Sequence, residues 1–199
     1  FIPKSNIVFF DKNFLTSILL SQNSRIEKIE INRDFFLRNV TVSIIERQAD
    51  YLWCSDSGDC FFMNKNGLVF KRAPFTESEF LLSSVNYLEP KNRIIFRGVL
   101  NENPLLENFT SSEQMQKYIE MLSNFKAVDI EIFSISSEAP DKAIANSSLG
   151  NVIFNPQEDL VLIAQNVILL VEEIKSKNPE AIFDYIDTRF GNKLFYKLI

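Results

Sequence analysis

The chain has 199 residues, of which 46% are hydrophobic and 24% are charged, a composition typical of a packed domain and not of a disordered segment. Its 26 acidic and 21 basic residues give a net charge of -5 and are scattered along the sequence. No basic stripe could neutralise a row of phosphates, so nucleic acid is not an expected partner. The chain has no histidine, which excludes Ser-His and Cys-His catalysis.

Other catalytic and cofactor sites also lack a sequence signal. A chain with five glycines carries neither a phosphate-binding loop nor a dinucleotide fingerprint. Two cysteines without histidine fall short of the four ligands of a structural zinc site. Asp and Glu are plentiful, but no pair of them stands out as a catalytic pair. The sequence predicts no catalytic residue, no cofactor site and no metal site, and the protein is expected not to be an enzyme.

Residues 1–49 have the pattern of a small α/β layer. Asp11 can cap a short helix whose apolar residues recur at helical spacing. Two segments with alternating apolar and polar residues follow, around Ile29 and Ile31 and then around Val40, Val42 and Ile44. One helix and two strands are therefore predicted for this part of the chain.

From residue 50 onward the pattern is mostly β. Strands are predicted at 51–54, 60–63, 68–70, 93–100, 128–132, 152–154, 182–190 and 193–199. Two amphipathic helices are predicted, one after Ser111 and Gln114 as a capping box, the other after Asn155 and Pro156. The predicted fold class is α+β, with a mainly antiparallel sheet and two helices in residues 50–199.

The two cysteines, Cys54 and Cys60, flank a run of turn-forming residues. If the flanking segments pair as strands, the two thiols can form a disulfide in an oxidising compartment. The alternative is a reduced pair packed as small apolar side chains. The spacing alone leaves both alternatives open.

Four segments resemble the FtsQ/DivIB family of bacterial cell-division proteins. Residues 26–33 and 40–47 are similar to the last two strands of the family's POTRA domain, including the Glu46-Arg47 dipeptide. Residues 51–53 and 64–70 resemble the opening of the family's β domain, and residues 185–190 resemble its terminal strand. The prolines that the family places before the last POTRA strand and after Glu-Arg are absent here.

The resemblance implies a truncated POTRA-like domain in residues 1–49 and an FtsQ/DivIB-type β domain in residues 50–199. It also implies a location at the extracytoplasmic face of the bacterial inner membrane, with a single-pass anchor upstream that this sequence lacks. The chain begins on Phe1-Ile2-Pro3 without an initiator Met, which fits a fragment of a longer protein.

The function implied by the resemblance is that of a non-catalytic scaffold of the division machinery. Its expected partners are short coiled-coil division proteins of the FtsB/FtsL type and other division proteins. An exposed C-terminal sheet edge would bind the partner by strand addition. Two stretches are candidates for this edge, 188–190 and 193–199, and the residues expected to bind the partner are Arg189, Phe190, Asn192, Leu194, Phe195 and Tyr196.

Three other functions stay open at this point. One is another POTRA-containing protein of envelope assembly or secretion. A second is a cell-wall enzyme that uses two carboxylates, which would need an enclosed polar cleft with converging acidic residues. The third is a cytoplasmic β-rich binding module with free thiols.

Overall fold

The computed structural model describes residues 11–82, 93–191 and 193–199. The chain divides into two compact units, Phe1–Gln48 and Ala49–Ile199. No helix in the described ranges is long and apolar enough to cross a membrane.

The described part of the first unit, residues 11–48, consists of one helix and a β-hairpin. Helix α1, Lys12–Gln22, begins after Asp11, whose carboxylate accepts the backbone N–H groups of Asn13 and Phe14. Strands β1, Ile26–Asp34, and β2, Asn39–Glu46, pair in antiparallel register. The buried residues of β1 are Ile26 at its start and Ile31 in its alternating part.

In its described residues the second unit is built on one nine-stranded sheet and three helices, namely β3 Tyr51–Cys54, β4 Asp59–Met63, β5 Val69–Thr76, α2 Glu77–Leu82, β6 Ile95–Arg97, α3 Ser112–Lys126, β7 Ile132–Ala139, β8 Lys142–Ser147, β9 Gly150–Phe154, α4 Leu160–Lys177, β10 Phe183–Phe190 and β11 Lys193–Leu198. The strand order is β11-β10-β9-β8-β7-β6-β3-β4-β5. Five of the eight pairings are antiparallel, and those of β9 with β10, β6 with β7 and β3 with β6 are parallel. The α+β prediction is confirmed.

Helices α3 and α4 cover one face of this sheet and form the main core with it. Phe96, Phe125 and Phe154 are fully buried there, and the ring of Tyr118 makes edge contacts with Phe96 and Phe154. Burial raises the pKa of Tyr118 to about 12. A smaller apolar cluster lies on the opposite face, where α2 packs, and contains Leu52, Cys54, Cys60, Phe62, Phe70, Ala73 and Ile95.

The start of α4 differs from the prediction. The cap is Asp159, whose carboxylate accepts the backbone N–H groups of Val161 and Leu162. Asn155 closes a separate turn before it, accepting the N–H of Gln157. Each of these two side chains accepts hydrogen bonds from backbone N–H groups. The motif at Asn155 therefore forms a turn and does not cap α4.

Three further predictions about the second unit were wrong or incomplete. The strand predicted at 128–132 begins only at its last residue, Ile132, because the chain before it forms the turn that ends α3, where Asp129 has a φ of 58° and Ile130 donates its N–H to Phe125. The strand predicted at 93–100 is limited to Ile95–Arg97, and strand β8 was not predicted. Only half of the capping box at Ser111 forms, because the Gln114 side chain donates to Pro156 instead.

Candidate protein-interaction edge

The nine-stranded sheet ends at β5 on one side and at β11 on the other. The outer side of β5 is partly occupied, since Val69 exchanges backbone hydrogen bonds with Leu106 and Glu107 at 2.7 and 2.9 Å. Further along the same strand, Pro74 has no N–H to offer. Strand β5 is therefore poorly suited to accept another strand.

Among the residues that the structure describes, strand β11 pairs with β10 alone and forms the other edge. Ile199 donates its backbone N–H to the carbonyl oxygen of Ile182 at 3.0 Å, towards β10. Because the direction of the N–H alternates along a strand, the N–H groups of Leu198, Tyr196 and Leu194 point away from the sheet. These groups are the donors that an added strand needs.

The position of this edge follows from two local features. Gly191 has a φ of 66°, which lets the chain reverse between Phe190 and Lys193, a directly opposed pair. Strand β10 lies between β11 and β9 in the strand order, and its residues Tyr185, Ile186 and Asp187 pair in parallel with β9. Of the two candidate stretches, the one at the sheet edge is therefore Lys193–Leu198. The predicted residue Asn192 lies outside the described residues.

Aromatic side chains lie on both faces of the edge strand. Phe195 is 50% exposed and its ring contacts that of Phe190, 53% exposed, with centroids 4.9 Å apart. On the other face Tyr196 packs edge-on against the buried Phe183. Leu194 is half-buried. Half-exposed aromatic rings fixed by their neighbours are typical anchors of protein interfaces.

Arg189, predicted to pair with a charge of the partner, is instead paired within its own strand. Its guanidinium makes two hydrogen bonds to the carboxylate of Asp187, at 3.0 and 2.7 Å. Burial raises the pKa of Asp187, but the hydrogen bonds from Arg189 outweigh burial and lower it overall. The guanidinium carbon of Arg189 also lies over the ring of Phe190, 5.8 Å from its centre.

Two lysines of the edge strand were missed by the sequence prediction. Lys193 is exposed, and Lys197 forms an ion pair with Asp184 at 2.8 Å. The hydrogen bond that the Lys197 ammonium donates to the carboxylate of Asp184 raises the pKa of Lys197. Lysines on edge strands commonly discourage non-specific strand pairing. The signal for them in the sequence was the spacing of four residues between two lysines in a β-like segment.

The two cysteines lie directly opposite each other on β3 and β4 and form a disulfide. Both side chains are buried in the smaller apolar cluster, 0% and 1% exposed. The bond lies far along the sheet order from β11. It therefore stabilises the sheet without contributing to the candidate edge.

A cavity of about 430 Å³ opens on the face of the sheet that carries α2. Its lining includes Phe133, Ser134 and Asn146, with Glu138 as the one carboxylate that lines it in the described part of the chain. The partly buried ion pair between Arg97 and Glu77 borders it. Elsewhere in the described ranges, no three acidic or cysteine residues are grouped so that they could hold a metal ion.

Comparison with known proteins yields no family. No protein-family model matches the chain, and no curated protein matches it.

Proposed function

We propose that the protein is a non-catalytic scaffold that binds a partner chain by strand addition at β11. The observation that carries the proposal is the open edge of the nine-stranded sheet at Lys193–Leu198, lined by half-exposed aromatic rings. Backbone donors along the edge supply affinity for any extended segment. The aromatic side chains select the partner, because they form pockets on both faces of the added strand.

The resemblance to the FtsQ/DivIB family supplies the setting of this proposal. In that setting the chain lies at the extracytoplasmic face of the bacterial inner membrane, behind a membrane anchor. The partner that adds to β11 is a short coiled-coil division protein of the FtsB/FtsL type. The disulfide between Cys54 and Cys60 supports an oxidising compartment.

The test is a titration of the chain with peptides from such coiled-coil proteins of the same genome. Phe195→Glu places a charge on the aromatic pair and is expected to weaken binding about 30-fold, the effect of losing an interface anchor of about 2 kcal/mol. Deletion of the residues after Gly191 is expected to abolish binding.

A matched pair at position 196 separates backbone recognition from side-chain recognition. Tyr196→Ala and Tyr196→Pro both remove the ring, but only the proline removes the outward N–H. The proline variant should bind about fivefold more weakly than the alanine variant, since a hydrogen bond contributes about 1 kcal/mol. Equal affinities of the two variants, with the Trp53 fluorescence of both unchanged, contradict strand addition.

A further inference from the structure

The hairpin of the first unit ends in an apolar tip, formed by Phe35, Phe36 and Leu37. These side chains are 58%, 100% and 72% exposed. Three consecutive exposed apolar residues are unusual on a folded protein and mark a surface that is covered by something else.

The tip is held in a defined shape. The carboxylate of Asp34 accepts the backbone N–H groups of Phe36 and Leu37, both at 2.9 Å. Arg38 closes the turn with a φ of 51°. The fixed backbone projects the apolar side chains outward, so the tip is a protrusion and not a groove.

Basic residues lie on either side of this protrusion in the chain. Arg33 and Arg38 flank it in sequence, and Lys12 donates from its ammonium to the backbone oxygen of Ile31, three residues before Asp34. Long basic side chains beside an apolar tip can reach phosphate groups while the tip enters hydrocarbon.

The two units also differ in net charge, and the unit that carries the tip is the basic one. Residues 1–48, which carry the tip, have a net charge of +2, from seven basic and five acidic residues, whereas residues 49–199 have a net charge of -7, from 14 basic and 21 acidic residues. A negatively charged surface attracts this unit and repels the other.

We propose that the hairpin tip inserts into an anionic lipid bilayer, with Phe35, Phe36 and Leu37 entering the interface and the flanking basic residues contacting lipid phosphates. The size of the tip favours lipid over a protein partner. An aromatic side chain buries about 150 to 250 Å², so the two Phe rings with the smaller Leu37 offer about 500 Å² together, below the ~800 Å² per partner of a stable protein interface. The proposal rests on the hairpin alone and is independent of strand addition at β11.

The experiment is co-sedimentation of the whole chain with two kinds of vesicle. One is phosphatidylcholine alone, and the other is phosphatidylcholine and phosphatidylglycerol in equal parts. We expect binding to the anionic vesicles that falls as salt is added. Phe36→Ser should lower the partition coefficient about tenfold, as should Leu37→Ser.

A matched control lies on the same hairpin. Ile45 is 48% exposed and pairs with Lys28, six residues along β1 from Asp34, which places it about 20 Å from the tip at ~3.3 Å per residue. Ile45→Ser removes a similarly exposed apolar side chain and should leave vesicle binding within twofold of the unmodified chain.

The depth of insertion is tested with Phe36→Trp. The chain has a single tryptophan, Trp53, which is 3% exposed and gives a constant background. The introduced indole should shift its emission to shorter wavelength on anionic vesicles. Absence of binding to the anionic vesicles, or equal losses in Phe36→Ser and Ile45→Ser, overturns the proposal and leaves a protein pocket as the site for the tip.

Discussion

Reduction of the disulfide between Cys54 and Cys60 is expected to destabilise the second unit by about 2 kcal/mol. The two cysteines are six positions apart in the chain. Closing a loop of this length lowers the entropy of the unfolded chain by an amount worth about 2 kcal/mol at 25 °C. The cross-link joins β3 to β4 inside the sheet, so its loss acts on the unit as a whole.

Urea unfolding followed by the emission of Trp53 measures this effect. Trp53 precedes Cys54, is buried in the main core and donates to the carbonyl oxygen of Gly98, so its signal reports the second unit alone. With a urea dependence of about 2 kcal/mol per molar, reduction should lower the midpoint by about 1 M.

The double variant Cys54→Ala/Cys60→Ala separates the cross-link from packing. It should unfold at lower urea than the reduced chain, by about 1 to 2 kcal/mol in stability, because it also loses two buried sulfur atoms. Its midpoint should not respond to reductant. Identical midpoints for the oxidised and reduced chains would refute the reasoning, since the cross-link would then contribute no stability.

Three further predictions concern the second unit. Gly150→Ala should cost about 2 to 4 kcal/mol in thermal unfolding, because Gly150 has a φ of 114° and a Cβ would lie 2.3 Å from a carbonyl oxygen of β10; a cost below that range contradicts the argument. Burial raises the pKa of Asp187, but hydrogen bonds from Arg189 lower it overall, so the pair stabilises the fold at neutral pH. That stability is lost as the pH falls below about 4 through the pKa of the folded state, so the difference in Tm between the unmodified chain and Asp187→Asn should narrow there; a constant difference excludes this linkage. Asp159→Ala should lower the free energy of unfolding in urea by about 1 kcal/mol, and Asn155→Ala should lower it clearly less. The reverse order would show that Asn155 is the cap of α4.

Local signals in the sequence were sufficient for elements whose apolar pattern is long. Helix α3 was predicted from Ser111 and from apolar residues at helical spacing, and its buried residues include Met115, Tyr118, Leu122 and Phe125. The C-terminal hairpin followed from two β-like segments around Gly191. In these places the local preference and the final packing agree.

Short patterns were ambiguous for physical reasons. The alternation of Val128, Ile130 and Ile132 suited a strand, but Ile130 is buried as part of a turn after α3. Strand β8 buries Ala143 and Ala145 beneath the helices, and alanines give no strong hydrophobic alternation. Small side chains are needed where helices lie close to the sheet. The strand therefore lacks the alternation of large apolar and polar residues from which a strand is predicted.

The location of the candidate edge could be narrowed but not fixed from the sequence. The turn at Gly191 favoured a hairpin and left 188–190 and 193–199 as alternatives. The deciding contact is the parallel pairing of β10 with β9, which joins Ile186 to Val152. Contacts between residues so far apart in the chain leave no local pattern, and the same holds for the ion pair that occupies Arg189.

The unequal edges of the sheet also limit how the chain can self-associate. Strand β5 is a poor template for adding strands of further copies edge to edge. Val69 is already bonded to Leu106 and Glu107, and Pro74 lacks an N–H. Two copies that joined through β11 would use up the open edge of both, so assembly would stop at a two-fold dimer and not continue as a fibre. Such a dimer would hide β11, which makes self-association and partner binding mutually exclusive states of the same strand.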